Sequence, residues 1–171
     1  MEKLIGCALV LAGCTGFAGS LCRERQERVR MLKQIRGIYE DLKYYISYQR
    51  ATVLEALLKI AGKGEEPFAG AFREIYRRVW EEGENLLLVW QQQMESGLGA
   101  TPLSPREKKL VYDFSACLGY MEENAQAGAL DELLREAASC IEELERERKN
   151  KNKMTMSLGI AAGVLISILL L

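Results

Sequence analysis

The sequence predicts an all-α protein: a bundle of about six helices whose first and last helices continue into two transmembrane spans. Three observations carry this expectation. Apolar residues recur at spacings of three and four through the charged middle of the chain. No run of four to eight residues alternates strictly between apolar and polar with turn residues at both ends, so no strand is predicted. Both ends are uncharged: residues 4–22 read LIGCALVLAGCTGFAGSLC and residues 154–171 read MTMSLGIAAGVLISILLL. A helix rising about 1.5 Å per residue needs roughly 17–25 such residues to cross a bilayer. The expected organisation is a transmembrane helix over 1–22, a cytoplasmic helical domain over 23–153 and a second transmembrane helix over 154–171.

The first segment contains Leu11-Ala12-Gly13-Cys14, which fits the pattern preceding lipidation of an exported lipoprotein. Its context opposes that reading. The stretch before it, MEK, has no basic excess, and the apolar run continues past Cys14 to Cys22. Arg23, Arg25, Arg28, Arg30, Lys33 and Arg36 follow at once. Basic residues close to an apolar segment hold that flank in the cytoplasm. The second segment is preceded by RERKNKNK, Arg146 to Lys153, with the same consequence. Both clusters flank the middle domain, so the expected topology is N-terminus out, domain in the cytoplasm, C-terminus out. Small residues recur every four positions in each span: Ala8, Ala12, Gly16 and Ser20 in the first, Thr155, Gly159, Gly163 and Ser167 in the second. Such stripes let helix backbones approach closely in lipid, and they also arise because Gly and Ala are common there.

Gly62, Gly64, Pro67, Gly83, Gly97, Gly99, Pro102 and Pro105 divide the middle domain. Val29, Leu32, Ile35, Tyr39, Leu42 and Ile46 form one helical stripe continuing from the first span. Val53, Leu57, Ile60 and Ala61 suit a second helix ending at Gly62. Phe68, Phe72, Tyr76 and Val79 make an aromatic stripe on a third; it reads as bundle core ahead of a partner groove. Leu86 to Trp90 and Met94 suit a fourth. Ser104, Pro105 and Glu107 provide an N-cap, a first-turn proline and a capping box for a fifth, with Leu110, Phe114 and Leu118 along one face. Leu130, Leu134, Ala137, Ile141 and Leu144 line the last helix, which can run unbroken into the second span. Its charged stretch pairs Glu142 with Arg146 and Glu145 with Lys149 at i,i+4.

Composition narrows the function. The chain of 171 residues has 23 Lys+Arg against 24 Asp+Glu, so it lacks the basic excess that phosphate backbones demand. It has no His, which removes His-based acid–base chemistry and metal ligation. Its five Cys, at 7, 14, 22, 117 and 140, include no CxxC and read as small apolar fillers. No phosphate-binding, nucleophile-elbow or HExxH motif is present, and acidic neighbours such as Glu65-Glu66 point about 100° apart on a helix. No catalytic, cofactor or metal residue is expected, and the protein reads as a non-enzymatic membrane component. The alternatives are a lipid-anchored extracytoplasmic binding module, a membrane-bound regulator, or an enzyme without positive support.

The layout resembles the stage III sporulation protein AB family of endospore-forming bacteria over nearly its whole length. Thr15-Gly16-Phe17 is similar to the end of the family's N-terminal span. LKYYISYQRATVLEALLKIA matches a family segment at Tyr48, Glu55 and Ala56. FSACLGYMEENAQ matches another at Phe114, Leu118, Gly119 and Gln126. KMTMSLG matches the entry to the last span at Lys153, Met154, Ser157, Leu158 and Gly159. Departures are Gln49, Ala51-Thr52-Val53, Ser115 and Glu122. The resemblance implies a role in spore formation, within a secretion-like apparatus joining mother cell and forespore. It implies a domain similar to the cytoplasmic domain of the type II secretion platform protein. It also implies a partner, the sporulation ATPase known as stage III sporulation protein AA. The small-residue stripes add other channel membrane components and a homo-oligomer to the expected partners.

Overall fold

The computed structural model describes residues 2–117 and 123–170; the side chains of residues 2–11, 14, 15, 17, 18, 116, 117, 123, 124, 149, 163, 164 and 167–170 lie outside the described set. Among the described residues the chain is all-helical: α1 (Glu2–Ser47), α2 (Val53–Lys63), α3 (Phe68–Trp80), α4 (Leu86–Leu98), α5 (Pro105–Asp113), a 3-10 turn (Phe114–Cys117) and α6 (Glu123–Leu170). The chain divides into two compact units. One comprises Met1–Arg30 with Glu142–Leu171, the other Met31–Ile141.

In the second unit the core follows the helical period. Leu32, Ile35, Tyr39, Leu42 and Ile46 of α1 are all buried, as their spacing predicts. Buried with them are Leu57 and Ile60 of α2, Phe72 and Ile75 of α3, Trp90 and Met94 of α4, and Leu130 and Ala137 of α6. Its centre is aromatic. Trp90 stacks on Phe72 at 5.8 Å between centroids and meets Phe114 at 4.9 Å, while Tyr39 meets Phe114 at 5.5 Å. Each buried large side chain is worth about 1.5–3 kcal/mol, and each such ring pair adds about 0.5–1.5 kcal/mol. Phe68 and Phe72 are therefore core, as expected, but the stripe turns toward Ile75, and Tyr76 and Val79 are only half-buried. Tyr76 instead stacks outward on Trp80, at 6.1 Å.

Local signals set most boundaries. Ser104 accepts from the Glu107 N–H at 3.4 Å, and the Glu107 carboxylate accepts from the Ser104 N–H at 2.8 Å. That box starts α5 with Pro105 in its first turn. The same device starts α2, where Thr52 and Glu55 bond reciprocally. Gly83, at φ 72°, turns the chain between α3 and α4. Arg78 then ties the turn down by bonding Glu84 and Gln92.

Two boundaries differ from expectation. α2 runs through Gly62 to Lys63, with Gly64 as its C-cap. Lys63 in the last turn makes an ion pair with Asp41 of α1 at 2.8 Å. α5 ends at Asp113, and Phe114 sits in a 3-10 turn instead of continuing the α-helix. The buried side chains of Tyr39 and Trp90 donate to the Leu110 and Val111 carbonyls, at 2.9 and 3.0 Å. Two of the carbonyls at the end of α5 are thus satisfied by side chains from α1 and α4. Leu118 and Gly119 lie outside the described residues.

In the first unit, Arg25 of α1 donates to Asn152 Oδ1 and Thr155 Oγ1 of α6, both at 3.1 Å. Both uncharged segments are helical where described. Among the described residues no helix is long and apolar enough to cross a membrane. The side chains of residues 4–11 and 167–170, which carry much of the apolar length of the two segments, lie outside the described set.

Candidate functional site

The surface chemistry of the Met31–Ile141 unit concentrates where α1 ends and α2 begins. Leu42 and Ile46 point inward, so the helical period sends Tyr44 and Tyr48 outward one turn apart. Tyr44 is 51% exposed and Tyr48 is 78% exposed, with ring centroids 5.8 Å apart. Tyr45 packs edge-on against Tyr44 at 5.6 Å. Arg50 adopts φ 49°, a left-handed conformation that costs a non-glycine residue roughly 1–2 kcal/mol. That bend lets the Ala51 N–H reach the Tyr45 carbonyl at 3.1 Å. Beside it, Ser47 Oγ is buried without a hydrogen-bond partner.

α2 places two cations one turn apart on the same ring. Lys59 Nζ lies 5.1 Å and Lys63 Nζ 5.4 Å from the Tyr45 centroid, within cation–π range. The hydrogen bond to Asp41, together with its charge, raises Lys63 above the ordinary lysine range. Lys59 donates only to the neutral Gln49 Oε1, at 3.0 Å. Neither Lys59 nor Arg50 has a carboxylate partner among the described residues. Most other cations of this unit do: Arg36 with Glu40, Lys43 with Asp131, Arg73 with Glu66, Lys109 with Asp113.

Next to this corner, α1, α2 and α3 enclose a groove of about 270 Å³. Ile38, Ile60, Phe68 and Phe72 line it, with Asp41 and Lys63 among its polar residues. Gly37 leaves it open, since a Cβ there would meet nothing within 4 Å. Exposed aromatics, cations without acids and a small apolar groove suit protein recognition, because Tyr and Arg give much contact area at low entropic cost. Among the described residues no group of three or more His, Cys, Asp or Glu side chains could hold a metal ion.

The residues singled out in the sequence are dispersed. Tyr48 is in the exposed corner and Glu55 is in the α2 capping box, while Ala56 and Phe114 are core. Gln126 is half-buried on α6. Lys153, Met154, Ser157 and Leu158 are exposed on α6. Of the small-residue stripes, Ala12, Gly16 and Ser20 are exposed, and a Cβ at Gly16 would meet nothing within 4 Å. Thr155 and Gly159 are half-buried, and the side chains at 8, 163 and 167 lie outside the described set. Cys140 is buried and Cys22 half-buried, both as free thiols. The cations on Tyr45 were not singled out by sequence; the signal was the i,i+4 spacing of Lys59 and Lys63 on a helix whose one other charge is Glu55.

A family model described as stage III sporulation protein AB matches residues 3–171. Stage III sporulation protein AB of Bacillus subtilis (strain 168) is 22% identical over 171 residues, covering 100% of both chains. A solved structure of a stage III sporulation protein AB superposes with a TM-score of 0.65 at 18% identity, covering 72% of this chain and 98% of that one. This last likeness speaks for the shared helical fold.

Proposed function

Because the chain belongs to the stage III sporulation protein AB family, we propose that it is a non-enzymatic, membrane-anchored assembly component of the sporulation apparatus. Residues 4–22 and 154–171 form two transmembrane spans, and the helical domain between them lies in the mother-cell cytoplasm, in the membrane around the forespore. One observation carries the membrane reading beyond hydropathy. Met154, Met156, Leu158, Ile160, Leu165 and Ile166 of α6 are all exposed, between 40% and 66%. A helix with large apolar side chains exposed along its length finds its medium in lipid or in a partner. The small-residue stripes supply faces for packing against other channel spans.

The domain acts as a platform, like that of type II secretion machines, and docks a cytoplasmic ATPase, stage III sporulation protein AA. The Tyr44–Tyr48 corner with Lys59 and Arg50 is the docking face. Its charge calls for carboxylates on the ATPase. The test is co-purification of the ATPase with the full-length chain from sporulating-cell membranes. Tyr48→Ala with Lys59→Ala lowers recovery about tenfold, the effect of losing one good hot spot. Undiminished recovery with the double variant removes this corner as the docking face, and no ATPase with the wild-type chain removes the platform reading.

A further inference from the structure

We propose that the cleft between residues 25–28 of α1 and residues 144–151 of α6 binds a phosphate group, presented by an anionic phospholipid headgroup or taken from solution. The cleft has a volume of about 70 Å³ and is lined by Arg25, Arg28, Leu144, Glu147, Arg148 and Lys151. One water needs roughly 10–15 Å³ of such space, so the cleft has room for a single tetrahedral oxyanion.

Its charge is unlike that of the stretch around it. The wall carries four cations and one carboxylate. Two other acids of this unit have partners outside the cleft, Glu27 with Arg30 at 3.8 Å and Glu142 with Arg146 at 2.5 Å. Glu147 bonds Lys151, which depresses its pKa and keeps it ionised. Arg25 is fixed across the two helices by neutral acceptors only, so its charge is positioned but not cancelled. Arg148 has no carboxylate partner among the described residues. Guanidinium groups fixed in this way bind phosphate oxygens in pairs.

The lipid source rests on the topology proposed above. Arg25 lies three residues after the first uncharged segment, and Lys151 three before the second. Two spans at those positions would hold the cleft at headgroup level, where basic pockets between helices take anionic lipids. The solution source does not need that topology.

The test uses the purified full chain in a neutral detergent, with native mass spectrometry to follow retained phosphatidylglycerol against phosphatidylcholine. Phosphatidylglycerol is retained in preference. Arg28→Gln with Arg148→Gln weakens retention roughly 25-fold, about fivefold per cation. Arg146→Gln, outside the cleft, leaves it unchanged. Glu147→Gln strengthens it, a change in the direction that misfolding cannot produce. Displacement of phosphatidylglycerol by inorganic phosphate assigns the anion to solution; retention without displacement assigns it to lipid. Equal retention of the two lipids with no phosphate binding overturns the proposal, as does a double variant that behaves like Arg146→Gln. A reversed topology removes the lipid source and leaves the phosphate arm standing, so the two failures are separable.

Discussion

Leu110 to Asp113 are the last four residues of α5, and their carbonyls have no donors within a helix that stops there. Tyr39 Oη and Trp90 Nε1 satisfy two of them from α1 and α4. Both side chains are almost wholly buried, so these bonds are made away from water. Tyr39→Phe keeps the ring against Phe114 and removes only the donor. It leaves the Leu110 carbonyl buried and unsatisfied, at a cost of about 1–3 kcal/mol. A lowered urea midpoint for the full chain in detergent is expected, with m unchanged; an unshifted midpoint contradicts this account. The burial of Tyr39 was legible from its place in the α1 stripe. Its hydrogen bond was not, because the acceptor lies 71 residues away. The same holds for the candidate docking corner. Tyr44, Tyr45 and Tyr48 are plain in the sequence, but which of them face out depends on what covers α1, and that is a tertiary fact.

The helices begin where local chemistry says and end where tertiary contacts allow. Both capping boxes, at Thr52–Glu55 and Ser104–Glu107, occupy the spacing that reads directly from sequence, although only the second was singled out there. Ser104→Ala removes one of these caps and leaves Pro105 in place. A loss of about 1 kcal/mol, within the usual 0.5–2, is expected in the same denaturation measurement. A neutral effect shows that tertiary packing alone holds the start of α5. C-terminal ends were less legible. Gly62 looked like a stop, yet α2 passes through it to Lys63, which pairs with Asp41 across the groove. α5 gives way to a 3-10 turn where Tyr39 and Trp90 donate to two of its last carbonyls. On α3 the buried line runs Phe68, Phe72, Ile75, since a period of 3.6 admits a step of three as readily as four.

At the scale of the whole molecule, α1 and α6 each contribute to both compact units. Continuity of the first and last helices was legible because no Pro interrupts residues 4–46 or 130–171. The family was legible as well, from four short matches in order, and the model match over residues 3–171 establishes it. The orientation of the domain was argued from Lys and Arg alone, six residues after one uncharged segment and a cluster before the other. Everything proposed about partners depends on that orientation, since a cytoplasmic ATPase reaches only a domain on its own side. Topology reporters fused after Leu103 and after Leu171 therefore test the central claim most directly. The account predicts a cytoplasmic signal at 103 and an external signal at 171; an external signal at 103 with a cytoplasmic one at 171 would contradict it.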